Sequence, residues 1–289
     1  MSMTPGSPAK RRKRLVLLRG AESRRPGEVW LVGAGPGDPE LLTLKALKAI
    51  QAADVIVHDG LVSEAILELA PASARRLSVA KRRSRHSYAQ DEINRMLVAF
   101  ARDGLRVVRL KGGDPFIFGR GGEELEACRA AGVACHVVPG VTAALAAGAG
   151  AGAPLTHRGA AQAVTFVTGH ASEGGEPKLD WPSLAKPNQT VVFYMGVATA
   201  PVVAARLMEA GRAGSTPALV VESVSLPEQQ TRATTLGELP TAAEGLSGPA
   251  LLIVGEAMAL AAHAAPTAAR SQDASGRAVG RKRTRERSR

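Results

Sequence analysis

Short apolar segments of strand length alternate with segments of helical periodicity through the first half of this chain. The predicted strands are Glu28–Val32, Asp54–His58, Arg106–Leu110 and Val133–Val138. The first helix between them is predicted to start at Pro39, with Asp38 as its N-cap. The other helices are predicted at Ser63–Leu69, Gln90–Asp103 and Glu123–Ala131. Parallel strands need long crossover connections, which helices supply. The alternation therefore predicts an α/β fold with a mostly parallel sheet covered by helices.

Apolar strand segments continue in the second half of the chain, with fewer helices between them. We predict strands at Ala163–Thr168, Thr190–Tyr194, Ala218–Glu222 and Ala250–Val254, with a helix around Ala200–Ala210. The stretch Val137–Thr156 is uncharged and rich in Ala and Gly, and we place a domain boundary in it near Gly148–Pro154. This predicts an N-terminal α/β domain at residues 29–150 and a smaller C-terminal α/β domain, with a mixed sheet, at residues 151–265.

The net charge of +11 is concentrated at the two ends of the chain. Residues 1–28 hold eight basic and two acidic side chains, and residues 266–289 hold the same numbers. Both segments lack amphipathic periodicity, so we predict that they are disordered basic tails. The body between them is close to neutral, and aromatic residues make up only 3% of the chain. A basic DNA-binding body and a stacking platform for single-stranded nucleic acid are both disfavoured, so we expect no nucleic-acid partner.

Cysteines, histidines and apolar stretches limit the cellular setting. The two cysteines of the chain, Cys128 and Cys135, cannot form a disulfide framework and lack the spacing of a zinc site. His157 and His170 have no paired ligands beside them in the sequence, so no metal site is expected. The stretch Val137–Thr156 is too rich in Ala and Gly to span a membrane. We therefore expect a cytoplasmic protein that binds neither a metal nor a membrane.

Two glycine-bearing loops follow predicted strands. In the first, Gly33–Pro39, Asp38 stands where a dinucleotide-binding fingerprint needs its third glycine, which argues against NAD and leaves a plain tight turn as an alternative. The second, Lys111–Glu124, holds five glycines, two aromatic residues, an arginine and an acid pair. Ligands of parallel sheets bind beyond the carboxyl ends of the strands, where both loops and Asp59 fall. The pattern predicts a binding site at that edge of the sheet.

The motifs of these loops are followed by others in a fixed order along the chain. The set is Val32–Asp38, Leu41–Thr43, Asp54–Asp59, Arg109–Glu124, Pro139–Ala143, Pro154–Arg158, Thr168–His170 and Phe193–Gly196. In this order the chain resembles the tetrapyrrole methyltransferases from about Val29 to about Met258, and Arg109–Glu124 is highly specific to that family. The resemblance implies a homodimer of two-domain α/β subunits, with S-adenosylmethionine as methyl donor in the cleft between the domains.

The resemblance also implies which residues form the site. Its donor-binding positions are Pro36, Gly112, Gly113, Asp114, Ile117, Thr142, Ala143, Met195, Val224 and Ala250. The family usually has glycine where this chain has Val224, so a side chain is expected to crowd a backbone contact there. The implied acceptor is a polycarboxylate, which suits the planar guanidinium groups of Arg82, Arg120 and Arg158. The loop Lys81–His86 adds further positive charge.

Methylation of a pyrrole carbon leaves a cationic ring that must then lose a proton to a base. The candidate catalytic residues are Asp59, Lys81, Arg120 and Glu123. Asp59 is the chemically easier proton acceptor, although a helix cap is its alternative role, and Lys81 is a candidate donor. Because a guanidinium is a poor base, Arg120 is expected first of all to anchor the substrate. The sequence leaves open which of these groups removes the proton.

The reaction implied by the resemblance is two successive methylations of uroporphyrinogen III, which give precorrin-2 for sirohaem, cobalamin or haem d1 synthesis. Two alternatives share the fold: a precorrin methyltransferase that acts later, and a ribosomal-RNA ribose methyltransferase. A non-enzymatic binding module is a third alternative. Because the N-terminal tail is short, we expect no dehydrogenase/ferrochelatase module ahead of the body.

Overall fold

The computed structural model describes residues 26–80, 88–170 and 175–263, which form two five-stranded sheets. The first sheet holds β1 (Glu28–Gly33), β2 (Val55–His58), β3 (Arg75–Ser78), β4 (Arg106–Lys111) and β5 (Ala134–Val138). Its order is β3-β2-β4-β1-β5, and every pair of neighbours is parallel. Its helices are α1 (Leu44–Gln51), α2 (Glu64–Leu67), α3 (Gln90–Arg102) and α4 (Gly121–Ala130).

Helix α5 (Ala143–Gly150) leads from β5 to the second sheet. That sheet holds β6 (Ala163–Thr168), β7 (Gln189–Tyr194), β8 (Pro217–Glu222), β9 (Gln230–Thr235) and β10 (Ala250–Val254), in the order β6-β7-β10-β8-β9. Only β6 and β7 pair in parallel, and the other neighbours are antiparallel. Around it lie α6 (Trp181–Leu184), α7 (Ala200–Glu209), α8 (Leu239–Ala242) and a 3-10 helix at Glu256–His263. The predicted fold, with a mostly parallel first sheet and a mixed second sheet, is confirmed.

The first sheet is covered on both faces, as a parallel sheet requires. On one face, Ile56 and Leu110 pack with Ile50 of α1. On the other face, Leu31 packs with Leu97 of α3. Within the three described ranges, no helix is long and apolar enough to cross a membrane.

Two edge strands were not predicted from the sequence, and the first α-helix starts later than predicted. β3 reads Arg-Arg-Leu-Ser and β9 reads Gln-Thr-Arg-Ala-Thr-Thr, so neither shows the apolar run of a central strand. Sheet edges are often short and charged because this prevents pairing with other chains. Asp38 is confirmed as an N-cap, but it caps a 3-10 helix at Pro39–Leu41, and α1 begins only at Leu44, where Thr43 caps it.

The crevice between β1 and β4 is the topological switch point of the first sheet. The chain leaves β1 and crosses to β2 on one side, whereas it leaves β4 and crosses to β5 on the other side. The connections therefore diverge at the carboxyl ends of these neighbouring strands and open a crevice between them. In open parallel sheets this is where ligands bind. Both glycine-bearing loops begin there.

The loops that leave β1, β4 and β5 meet backbone to backbone in this crevice. Gly35 and Gly113 exchange two hydrogen bonds, with N–O distances of 3.1 and 2.7 Å. A Cβ built on Gly33 would lie 2.5 Å from the Gly140 nitrogen, and one on Gly140 would lie 2.2 Å from the Gly113 carbonyl oxygen. These contacts leave no room for side chains, so the glycines allow the three loops to touch.

We expect Gly140→Ala to lower the free energy of unfolding by about 1–3 kcal/mol, the usual cost of overpacking, because its new methyl group would press on backbone atoms. Gly122→Ala is the matched control, since no atom lies within 4 Å of the Cβ that it would add. Alanine in that helical position should gain up to about 1 kcal/mol. Denaturant unfolding measures both, and equal stabilities of the two variants would contradict the close packing.

Candidate active site

Asp59 lies at the carboxyl end of β2 and is half-buried. One carboxylate oxygen accepts the Leu61 N–H at 3.1 Å, and the other accepts the Gly112 N–H at 3.4 Å. The N-cap position of α2 is held by Ser63, so Asp59 is not a helix cap. Its carboxylate instead joins the loop after β2 to the second glycine-bearing loop.

Asp114 connects that loop to the turn before α5. Its Oδ1 accepts the Phe116 N–H at 2.8 Å, and its Oδ2 accepts the Gly140 N–H at 3.0 Å. The carboxylate therefore has one orientation, set by backbone donors on two segments. Each oxygen has a further lone pair, so Asp114 can still accept a bond from a ligand.

Thr142 and Tyr194 join the start of α5 to the end of β7. The Thr142 and Tyr194 hydroxyl oxygens are 2.6 Å apart, and the Tyr194 hydroxyl also accepts the Ala144 N–H at 3.1 Å. The Phe118 ring lies 5.0 Å from the Tyr194 ring, measured between centroids. Tyr194 was not identified from the sequence as a site residue. The sequence feature that could have indicated it is a tyrosine at the end of a strand, in a chain with few aromatic residues.

Met195, next to Tyr194, has a left-handed backbone with φ of 55° and is 53% exposed. An apolar residue that is both exposed and held in a left-handed conformation is unusual, and such strain gathers at functional sites. Leu61 is likewise exposed, and a Cβ on Gly112 would lie 2.7 Å from the Leu61 Cβ. Apolar side chains therefore border the backbone of the glycine loops.

Arg120 and Glu123 form a bidentate ion pair at the start of α4. Two nitrogens of Arg120 each lie 2.8 Å from an oxygen of Glu123, and both side chains are at least half exposed. The hydrogen bonds to Arg120 lower the pKa of Glu123, and those same bonds raise the pKa of Arg120. Glu123 is therefore a weaker base than a free glutamate. Arg120 keeps its charge at any physiological pH.

A turn of left-handed residues after β8 reaches the first glycine-bearing loop. Ser223 and Ser225 have φ of 51° and 61°, and the Ser225 hydroxyl accepts the Asp38 N–H at 3.1 Å. Val224 between them is buried and packs into the core beside α5. Ala250 pairs with Glu222, the last residue of β8. The sequence offered no signal for Ser225, because serine rarely adopts this backbone conformation.

The remaining predicted residues lie within these loops or in neighbouring segments. Pro36 and Ile117 are half-buried within the first and second loops, and Ala143 begins α5 directly after Thr142. Arg158 is exposed in the turn closed by His157 and Ala161. Lys81 and Arg82, with the rest of their basic run, lie outside the described residues. Across the described ranges, no three His, Cys, Asp or Glu side chains gather in a way that could hold a metal ion.

Comparison with known proteins gives one consistent result. The family model for tetrapyrrole (corrin/porphyrin) methylases matches residues 28–240. The siroheme synthase of Azotobacter vinelandii is 52% identical over 245 residues, which cover 84% of this chain and 53% of that protein. The siroheme synthase of Chromobacterium violaceum is 53% identical over 239 residues, with 82% and 51% covered. The chain thus spans about half the length of the curated relatives it matches.

Solved structures agree with this assignment. The uroporphyrin-III C-methyl transferase of Thermus thermophilus, complexed with S-adenyl homocysteine, is 43% identical with a TM-score of 0.71. The alignment covers 81% of this chain and 100% of that chain. A cobalamin biosynthetic enzyme, cobalt precorrin-4 methyltransferase, is 30% identical with a TM-score of 0.71, over 80% of this chain and 95% of that chain.

We expect Tyr194→Phe to cost about 1 kcal/mol of stability at neutral pH, since it removes the hydroxyl from a part-buried hydrogen bond to Thr142. Burial raises the pKa of Tyr194. Above about pH 10 the unfolded chain would lose this proton while the folded protein keeps it, so stability falls as pH rises. Tyr194→Phe should remove that part of the alkaline loss. Ultraviolet titration of a Tyr88→Phe variant, which leaves Tyr194 as the sole tyrosine, measures the shift; an ordinary pKa would contradict it.

Proposed function

The chain belongs to the tetrapyrrole methylase family, and from this premise we propose that it transfers methyl groups from S-adenosylmethionine to ring carbons of uroporphyrinogen III. Two successive transfers would give precorrin-2. The proposal rests mainly on the Thermus thermophilus uroporphyrin-III C-methyl transferase that holds S-adenyl homocysteine. This chain is 43% identical to that protein, and the alignment covers the whole of the Thermus thermophilus chain. The siroheme synthases at more than 50% identity support the same tetrapyrrole chemistry.

The donor would bind against the joined glycine loops. Their backbone is free of side chains where Gly35 meets Gly113, so main-chain donors and acceptors can approach a ligand closely. Leu61, Phe118 and Met195 are 59%, 40% and 53% exposed and would cover the apolar parts of the donor. The predicted donor contacts at Pro36, Gly112, Gly113, Asp114, Ile117, Thr142, Ala143, Met195, Val224 and Ala250 stay predictions.

Methyl transfer is an in-line displacement in which the ring carbon forms a bond to the methyl group as the carbon–sulfur bond breaks. Both electrons of that bond go to sulfur, so the positive charge passes from donor to ring. Positioning of the two reactants supplies much of the rate in such a step. A proton then leaves the ring for a base, which restores its neutrality.

Asp59 is the best-placed base among the described candidates. Its Oδ2 has only a long contact, 3.4 Å, to the Gly112 N–H, so this oxygen can accept a proton. Glu123 is engaged by Arg120, and its lowered pKa makes it a poorer acceptor. Arg120 would serve instead to hold a substrate carboxylate, since an exposed guanidinium can exchange one carboxylate partner for another. Arg158 and Arg82 would hold further carboxylates.

A precorrin methyltransferase that acts later is the second candidate. It is favoured by the likeness to the cobalt precorrin-4 methyltransferase, at 30% identity and the same TM-score as the Thermus thermophilus protein. Both candidates share the donor site and differ in the acceptor. The higher identity to the uroporphyrin-III enzyme favours the first candidate.

An anaerobic assay tests the function, in which wild-type protein is incubated with isotope-labelled S-adenosylmethionine and uroporphyrinogen III. We expect a dimethylated product by mass spectrometry and binding of S-adenosylhomocysteine by calorimetry. Precorrin acceptors and ribosomal RNA form parallel arms of the assay. Label on a later precorrin or on RNA alone would overturn the proposal, as would failure to bind S-adenosylhomocysteine.

We expect Asp59→Asn to lower kcat by about 100-fold or more, in the range for loss of a general base, with KM for the acceptor little changed. Glu123→Gln is the matched control, because it removes the other candidate carboxylate, which is already paired with Arg120, and should reduce kcat far less. Steady-state kinetics of both variants measure the difference. If Glu123→Gln has the larger loss of kcat, the proton goes to Glu123 and the assignment of Asp59 is wrong.

A further inference from the structure

A cluster of buried charges lies behind the second glycine-bearing loop and takes no part in the reaction proposed above. Glu124, in the first turn of α4, is fully buried. Its Oε1 is 2.9 Å from the Arg109 Nε and 3.2 Å from the Lys111 Nζ. Gln90 of α3 donates to the same oxygen at 3.4 Å.

Burying this cluster carries a large desolvation penalty, so it contributes little net stability to the fold. Burial, and next the charge of Arg109, lower the pKa of Lys111, so its ammonium is held at a cost. The Glu124 Oε2 is buried with no hydrogen-bond partner among the described residues. Apolar residues of the same volume often stabilise a protein at least as well as a buried ion pair. A role beyond stability is therefore the better explanation.

The two partners stand at opposite ends of the same loop. Lys111 is the last residue of β4, and Glu124 lies just after the first residues of α4, so their ion pair closes residues 112–123 into a ring. The Lys111 side chain passes beneath the loop, since a Cβ on Gly119 would lie 3.2 Å from its Cε. The ring is thus supported from below by a buried lysine stem.

The ring also holds the residues that the proposed reaction needs. Gly112 and Asp114 follow Lys111 directly, and they bind the Asp59 and Gly140 segments. At the other end, Arg120 has a left-handed backbone, and its carbonyl accepts the Glu123 N–H at 3.1 Å. A shift of Glu124 would therefore move Arg120 and Glu123 together.

We propose that Lys111 and Glu124 are positioning residues, whose buried ion pair holds the glycine loop in the shape that binds the methyl donor. Neither side chain touches the substrate, because both are almost completely buried. The identity of the ligand rests on the function proposed above, whereas the order of the loop does not. The inference predicts that loss of the pair loosens residues 112–120 while the sheet beneath keeps its stability.

Lys111→Met tests this inference, because it keeps the length of the stem and leaves Glu124 paired with Arg109. Lys111→Arg, which keeps the charge, is the conservative rescue. Glu256→Gln is the matched control, because it breaks the 2.8 Å ion pair between Glu256 and the buried Arg212. That pair lies just after the carboxyl end of β10, whereas the predicted donor position Ala250 is at its amino end. Three quantities are measured on the full chain: S-adenosylhomocysteine affinity, melting temperature, and hydrogen exchange of the amides of residues 112–120.

We expect Lys111→Met to weaken S-adenosylhomocysteine binding by about 10- to 100-fold, the loss found when residues that orient binding groups are removed, and to speed exchange in the loop. Lys111→Arg should recover most of the affinity, and Glu256→Gln should change neither quantity. Faster exchange throughout β1 and β4, with a melting temperature that falls in step with affinity, would assign the pair to general stability and overturn the inference. Unchanged loop exchange and affinity would also overturn it. Wild-type protein that binds no S-adenosylhomocysteine refutes the proposed function, and loop exchange alone then decides the inference.

Discussion

The backbone contact between the two glycine-bearing loops sets the geometry of the candidate site. β1 and β4 are parallel neighbours whose connections diverge, so their carboxyl ends open a crevice. Gly35 and Gly113 close its floor with two backbone hydrogen bonds, and Gly140 packs against both loops without space for a methyl group. Because no side chain intervenes, the site has a floor of main-chain atoms. The flanking side chains then decide what can bind there.

Charge is divided between the two sides of the second loop. Arg120 and Glu123 are exposed on its outer side, where an incoming carboxylate can compete for the guanidinium. Lys111 and Glu124 are buried on its inner side, where no solvent can compete. Pairs in water contribute little to stability and can exchange partners, whereas a buried pair is costly to break. The same loop thus combines an exposed pair that can exchange partners with a buried pair that is fixed, which suits the positioning role proposed for Lys111 and Glu124.

Strained backbone is gathered at this edge of the molecule. Among the described residues, the non-glycine positions with positive φ are Phe118, Arg120, Met195, Ser223, Ser225 and Asn188. All but Asn188 lie in loops that carry, or directly adjoin, the predicted donor or substrate positions. Such conformations cost about 1–3 kcal/mol each and persist only where the surroundings require them. Nothing in the sequence marks them, because none of these residues is the glycine that usually signals a left-handed turn.

Local chemistry was enough to predict much of this protein from its sequence. Strands such as Ala163–Thr168 and Ala250–Val254 were correctly bounded because an apolar run ended by turn residues depends only on neighbours in the chain. The motif Arg109–Glu124 identified the family, since its glycines, aromatics and charges stand at fixed spacing.

Tertiary structure alone decided which distant groups meet: Tyr194 with Thr142, Ser225 with Asp38, and Asp59 with the glycine loop rather than a helix. It also decided that Glu124 would be buried beside two cations while its neighbour Glu123 stays in solvent. Two adjacent glutamates are alike as sequence, and only the direction that α4 faces on the sheet gives them different surroundings.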